Sequence, residues 1–299
     1  MAATYVPTYR TLPITVPHLG DFTINYITAG SPSNPTLLLL HGFPSSSYQF
    51  RDLIPLLSHK YHLLAPDLPC FGLTTSPKDM PSTFDNLAAA IGAWLEKLRV
   101  ESHAMYIFDY GAPVGLRLAL RNPERVKAIV SQNGNAYDIG FGSGFLAPIF
   151  RLWESENGSA EREILRTNVL SLETTKYQYH MGVPERDFHL INPVAWHTDY
   201  HLNLAGRENQ ERQLDLFYDY RMNKAMYGQF QEYFRTSQVP LLGIWGKGDL
   251  AFLPQGAEAF KEDLPGAEVH LLDTGHFALE TKRWEIAELM LAFLDKVKF

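Results

Sequence analysis

Three residues in this chain have the types that nucleophilic catalysis needs and sit in comparable settings: Asp109, Asp249 and His276. A carboxylate is already ionised and attacks carbon without a base, a histidine takes a proton from water, and a second carboxylate orients the imidazole. Asp109 ends the apolar run 104–108 and is followed by small residues, Gly111-Ala112-Pro113. Asp249 follows the apolar run 239–246, and His276 closes Asp273-Thr274-Gly275-His276 after the run 268–272. A fourth stretch, His41-Gly42-Phe43-Pro44, follows the apolar run 36–40. Gly42 permits unusual backbone angles and Phe43-Pro44 can take the cis form, so a backbone N–H can be turned toward a site at that strand's end. Each piece alone has an ordinary alternative. Asp109 could cap the following helix, Asp249 could be a turn residue, His276 a surface loop residue, and 41–47 a plain turn with a serine cap.

The elements that would bring these residues together are legible as an alternation of strands and helices. Residues 10–18 and 21–29 read as two edge strands joined by the tight link His18-Leu19-Gly20-Asp21, with Phe22, Ile24 and Tyr26 alternating against polar neighbours. The run 36–40 reads as a central strand, and 61–66 as a further strand ending in a proline-rich loop. A helix is expected over 83–98, with Leu87, Ile91, Trp94, Leu95 and Leu98 on one stripe. The run 104–108 suits a strand buried on both faces, a helix follows Gly111, and 126–131 is the next strand. After 239–246 come a helix near 255–262, the strand 268–272 and a final amphipathic helix. Such alternation predicts an α/β fold with a mostly parallel sheet covered by helices on both faces. Between about 134 and 236 the alternation stops and the chain becomes helix-like and aromatic. The expected organisation is therefore a core of residues 1–134 and 237–299, with 135–236 inserted as a helical cap.

At 299 residues and 45% hydrophobic content the chain can bury a large core. A net charge of −7 provides no basic excess for phosphates, which argues against nucleic acid as a partner. Cys70 is the only cysteine, so neither an intrachain disulfide nor a cysteine zinc cluster can form. The stretch Met1-Ala2-Ala3-Thr4-Tyr5-Val6-Pro7 has no long apolar region, and no later run reaches about 18 apolar residues. The expectation is a cytoplasmic protein away from membranes; monomer and homodimer both remain open. Asn157-Gly158-Ser159 matches a glycosylation sequon, accidental without a secretory signal.

The chain order nucleophile, acid, histidine is that of the α/β-hydrolase fold, and the sequence resembles the epoxide hydrolase and haloalkane dehalogenase branch of that superfamily over almost its whole length. His41-Gly42-Phe43-Pro44 resembles the H-G-x-P oxyanion loop, and Asp109-Tyr110-Gly111 the D-W-G nucleophile turn. Residues 65–72, with Pro66-Asp67 and Gly72, resemble the P-D-x-x-G-x-G loop, while Asp249 and Asp273-Thr274-Gly275-His276 match the acid and histidine positions. The resemblance implies that the backbone amides of Phe43 and Tyr110 form the oxyanion hole. Tyr220-Arg221 lies where epoxide hydrolases carry the tyrosine of a W-Y-R segment. The chain departs from the pattern at Ile107 and Phe108, where a small residue and a histidine are usual, and at Cys70, which replaces a glycine.

An aspartate nucleophile points to displacement at an sp³ carbon, as in epoxides and alkyl halides, followed by hydrolysis of the alkyl ester by water that His276 deprotonates. An epoxide oxygen needs a proton donor; a halide needs N–H donors. Dehalogenases resemble one another in a tryptophan after the nucleophile plus a second asparagine or tryptophan, whereas this chain has Tyr110 and Phe43; fluoroacetate dehalogenases would show arginine there. The balance favours an epoxide, and the resemblance implies a small apolar substrate consumed with water, without a cofactor or metal. Tyr220 is the first candidate donor and Tyr179 the second, with Tyr177 and Tyr137 as rivals. His41, Trp153, Tyr177, Tyr137 and Phe277 are the candidate substrate contacts. The alternatives are a haloalkane dehalogenase, a lyase or cyclase of specialised metabolism, and a non-catalytic ligand-binding protein on the same fold.

Overall fold

The computed structural model describes residues 6–298. The stretch 1–5, which belongs to the expected core segment and to the leader reading, lies outside the described residues, as does Phe299.

Eight strands form one sheet: β1 (Thr8–Val16), β2 (Gly20–Ala29), β3 (Thr36–Leu40), β4 (His62–Pro66), β5 (His103–Phe108), β6 (Val126–Gln132), β7 (Leu241–Gly246) and β8 (Glu268–Leu272). Their spatial order is β1-β2-β4-β3-β5-β6-β7-β8. From β4 to β8 all neighbours are parallel, while β2 pairs antiparallel with both β1 and β4. The expectation of two edge strands at the N-terminus is thereby corrected. Only β1 is an edge; β2 is roofed on both sides because Tyr26–Ala29 pairs with Leu63–Pro66.

The central strands are buried on both faces, and their alternate side chains feed two cores. Leu38, Leu40, Met105 and Ile107 pack on one face, and Leu37, Leu39, Ala104, Tyr106 and Phe108 on the other. This is the two-residue period of a strand expressed as a division of labour. The helices of the core are α1 (Ile54–Leu57), α2 (Phe84–Lys97) and α3 (Gly111–Arg121) before the insertion. Thr83 accepts the Asn86 N–H to start α2, whose Leu87, Ile91, Trp94 and Leu95 are buried as the stripe requires.

Between β6 and β7 the chain forms α4 (Ala147–Glu154), α5 (Ser159–Asn168), α6 (Leu172–His180), α7 (Pro193–Asp199), α8 (Arg207–Ala225) and α9 (Tyr227–Ser237). The core then resumes with α10 (Pro254–Asp263) and α11 (Ala278–Lys296). The α/β architecture expected from the alternation is present, with the strand ends that carry Asp109, Asp249 and His276 on one side of a parallel sheet. No helix among the described residues is long and apolar enough to cross a membrane.

Candidate active site

At the end of β5 the backbone turns sharply into α3, and Asp109 takes φ 47°, a conformation L-residues seldom adopt but which aspartate tolerates. The turn is tight enough to require Gly111, where a Cβ would lie 2.3 Å from the Leu40 carbonyl oxygen. The Asp109 carboxylate is thus presented at the strand's end rather than folded back as a cap. Its Oδ1 accepts the Phe43 N–H at 2.6 Å, and the Tyr110 backbone N–H also bonds the carboxylate. The Phe43-Pro44 bond is cis. Oδ2 lies 3.9 Å from Nε2 of His276, too far for a hydrogen bond, so Oδ1 is held by the loop amide while Oδ2 faces the histidine without bonding it.

His276 Nδ1 bonds Oδ2 of Asp249 at 2.6 Å. That contact makes Nδ1 the protonated donor in the neutral imidazole and leaves Nε2 as the base facing Asp109. Asp249 is in turn fixed by the Ala251 N–H on Oδ1 at 2.7 Å and by Asn133 Nδ2 on Oδ2 at 2.7 Å. Asn133 accepts the Gly246 N–H at 2.9 Å, and the neighbouring Gln132 donates Nε2 to the His276 carbonyl at 3.0 Å. Gln132 and Asn133, which tie β6 to the acid and histidine loops, are absent from the sequence reading. The available signal was two amides directly after the apolar run 126–131, again at the C-terminal end of a parallel strand.

The electrostatics follow from burial and pairing. Burial pushes the Asp109 carboxyl up to about 6, although His276 and the amides of Phe43 and Tyr110 favour its ionised form. For His276 burial opposes the charged ring, but Asp249, through charge and hydrogen bond, and Asp109 outweigh it and raise the histidine above its ordinary value. Near neutral pH the carboxylate is therefore available for attack, while the two carboxylates around the imidazole favour its protonated form.

Above these groups lies a cavity of about 180 Å³ whose floor is Asp109, Tyr110, Phe43 and His276 and whose walls are largely apolar residues of α4, α6 and α8. Trp153 lines it, stacks with Tyr220 at 7° between planes, and donates Nε1 to the Phe217 carbonyl at 2.7 Å. Tyr177 lines it at the rim and is 53% exposed. Tyr220 is buried in the wall. Its hydroxyl interacts with that of Tyr227 without meeting full hydrogen-bond geometry. Burial, with the charge of Asp109, keeps it strongly protonated.

Four candidates lie elsewhere. Tyr179, expected as the second donor, points away from the cavity; it stacks on Phe277 with centroids 4.0 Å apart and gives its hydroxyl to Oδ2 of Asp199 at 2.5 Å. On α6 and its C-cap the cavity-facing positions are 174, 177, 178 and 181, the i, i+3, i+4, i+7 face of a helix, which leaves 179 behind. Phe277 is consequently packed beneath the histidine loop rather than against a substrate. Tyr137 sends its hydroxyl to Asp263 at 2.8 Å and packs on Phe260. His41 is fully buried under the oxyanion loop, where its Nε2 accepts the Leu68 N–H at 2.9 Å and Nδ1 faces the Gly42 carbonyl at 3.2 Å. Burial lowers His41 to about 4, so it is a neutral brace of the loop; all four corrections come from hydroxyls or rings already committed to other partners.

A carboxylate on a strand-to-helix turn, a histidine–aspartate pair and an amide-lined loop, in this chain order on this sheet order, invite comparison with known proteins. The chain is 44% identical over 271 residues to an uncharacterized hydrolase, YNR064C, of Saccharomyces cerevisiae, covering 89% of this chain and 91% of the relative. In structure it is similar to haloalkane dehalogenase DbeA from Bradyrhizobium elkani, with a TM-score of 0.78 at 20% identity over 98% of this chain and 99% of the other. It is also similar to epoxide hydrolase CorEH, with a TM-score of 0.72 at 19% identity over 98% of this chain and 100% of that one. Residues 35–283 match the alpha/beta hydrolase fold family, spanning every strand from β3 to β8 together with Asp109, Asp249 and His276; the chain belongs to that family.

Proposed function

We propose that this chain hydrolyses an epoxide to a diol through an alkyl ester on Asp109, with residues 135–236 serving as the cap over the substrate. The observation that carries this reading is the divided Asp109 carboxylate: Oδ1 is bound by the Phe43 amide while Oδ2 faces His276 Nε2 at 3.9 Å without a hydrogen bond to it. A carboxylate so held attacks with Oδ2 and, once esterified, has its carbonyl oxygen already among the oxyanion donors. The chain has no G-x-S-x-G motif, which fits attack by a carboxylate rather than by serine.

In the first step Oδ2 attacks an epoxide carbon, the carbon–oxygen bond breaks, and the ring oxygen takes the proton of Tyr220. In the second, His276 takes a proton from water and the resulting hydroxide adds to Cγ of Asp109. The amides of Phe43 and Tyr110 hold the oxyanion. Collapse expels the alkoxide, which takes the remaining hydroxyl proton and leaves as the diol with Asp109 ionised again. The imidazolium returns its proton to the Tyr220 phenolate, so water and epoxide are the only species consumed.

The choice of epoxide over alkyl halide rests on the leaving group. Phe43 offers no side-chain donor, and the Trp153 N–H is already given to the Phe217 carbonyl, whereas Tyr220 keeps an O–H proton in the wall above Asp109. The test is a turnover screen with styrene oxide, 1-bromobutane and 4-nitrophenyl butyrate. Diol from the first, without halide from the second, is the expected result; halide release with no diol would replace the epoxide reading by a dehalogenase.

A further inference from the structure

Several polar side chains of the cavity are already spoken for, while the hydroxyls of Tyr110 and Tyr220 lack a partner of full hydrogen-bond geometry. Asp109 and His276 form the reacting pair, the Trp153 N–H is given to Phe217, and the Thr174 hydroxyl is given to the Asn168 carbonyl at 2.6 Å. Gln178 is different. It lines the cavity and is 7% exposed. Its side-chain amide makes no hydrogen bond among the described residues, yet neither polar atom is sealed from a solvent-sized neighbour.

Its place is set by the fold. Just past the end of α6, the Met181 carbonyl abuts Gly275 so closely that a Cβ there would lie 1.9 Å from it, so this end of the helix stands against the His276 loop. Gln178 precedes Met181 by three residues, about 4.5 Å along a helix axis. It therefore lies about one helical turn from that contact, on the cavity-facing side of the helix. A buried amide without a partner is unfavourable unless something else in the cavity completes it.

We propose that Gln178 is a specificity residue, and that the cavity takes a substrate with an apolar skeleton around the reacting carbon and one neutral carbonyl or amide group that hydrogen-bonds to Gln178. A charged group does not fit this position. No lysine or arginine lines the cavity to pair an anion, and its one lining carboxylate, Asp109, is the attacking group of the proposed reaction, so a cation at Gln178 has no counter-charge of its own. A carboxamide matches best, because Gln178 offers both a donor and an acceptor. The inference rests on the cavity being the substrate site of the proposed hydrolase and adds the substrate class.

The test reads binding without turnover. Phenylacetamide, 3-phenylpropanamide and 4-phenylbutanamide are titrated by tryptophan fluorescence against their isosteres, in which an isopropyl group replaces the carboxamide. The unsubstituted protein and Gln178→Met, of similar side-chain volume, are compared after thermal melting shows both folded; Gln178→Leu takes its place if the first does not fold. For at least one chain length the preference for amide over isostere should fall about tenfold in the variant, the size of one neutral hydrogen bond. An equal preference in both proteins at all three lengths, or no amide binding at any, overturns the proposal. Epoxide turnover of the unsubstituted protein is measured separately. Its absence would remove the proposed reaction while leaving the Gln178 result interpretable on its own.

Discussion

Gly42→Ala tests whether the oxyanion loop and the nucleophile are as tightly joined as their geometry indicates. A Cβ at position 42 would lie 2.3 Å from Oδ1 and 2.4 Å from Cβ of Asp109, against a comfortable carbon separation of about 3.5–4 Å. Relief requires a displacement of about 1 Å between loop and carboxylate, and Asp109 cannot supply it freely because its turn is fixed at φ 47° with Gly111 against Leu40. The 2.6 Å bond from the Phe43 N–H to Oδ1 is the contact that must give way. Losing one oxyanion donor costs about 3 kcal/mol of transition-state stabilisation, or roughly 10²- to 10³-fold in kcat. Overpacking a buried site costs about 1–3 kcal/mol of stability. The assay pairs steady-state epoxide hydrolysis with thermal unfolding, and Gly144→Ala, where an added Cβ meets nothing within 4 Å, serves as the control. A Gly42→Ala protein with unaltered kcat and Tm would refute the reasoning.

Three further outcomes follow from the same geometry. Tyr220→Phe should slow epoxide opening by about 10²- to 10⁴-fold in single-turnover measurements, the range for a positioned general acid; an unchanged rate would make Tyr220 a packing residue. Ester hydrolysis needs neutral His276, which is raised above the ordinary histidine value, so the acid limb of kcat should fall above about pH 6.5; a profile flat down to pH 5 would reject His276 as the base. Asp199 is pushed up to about 8, chiefly by burial, above the ~3.9 of an unfolded aspartate. Folding therefore retains its proton, and the associated stability, complete below about pH 4, is lost as pH rises through 8. The fall in Tm between pH 5 and 9 should be smaller in Asp199→Asn, and an equal fall in both proteins would contradict this.

What was legible in the sequence is what a short apolar run and its terminus encode. Runs 36–40 and 268–272 coincide with β3 and β8, and the polar residues that stop the runs at 109 and after 246 mark the strand ends where the sheet gathers its chemistry. Pairing was less legible. The alternation of Phe22, Ile24 and Tyr26 tells which face is buried but not how many neighbours a strand has, so β2 resembled an edge. Between β6 and β7 the difficulty was helical phase. One residue separates Gln178, in the cavity, from Tyr179, behind it, and no local propensity distinguishes their directions. His41 illustrates a third limit, since a histidine beside a reactive loop and a histidine bracing that loop have the same sequence. Its role became visible only when Leu68 was found bonded to its ring.

The central claim is that Asp109 becomes covalently esterified and that His276 is needed only to release it, and the mass of the His276→Ala protein tests this most directly. Without the imidazole, Asp109 remains able to open the epoxide, but no base prepares water for the ester. After incubation with a substrate found in the turnover screen, intact-protein mass should rise by one substrate mass in His276→Ala, and the adduct should map to the peptide containing Asp109. The double variant Asp109→Ala, His276→Ala should gain nothing. An unmodified His276→Ala protein, when the unsubstituted enzyme turns the same epoxide over, would contradict the covalent account and leave direct attack by water in its place.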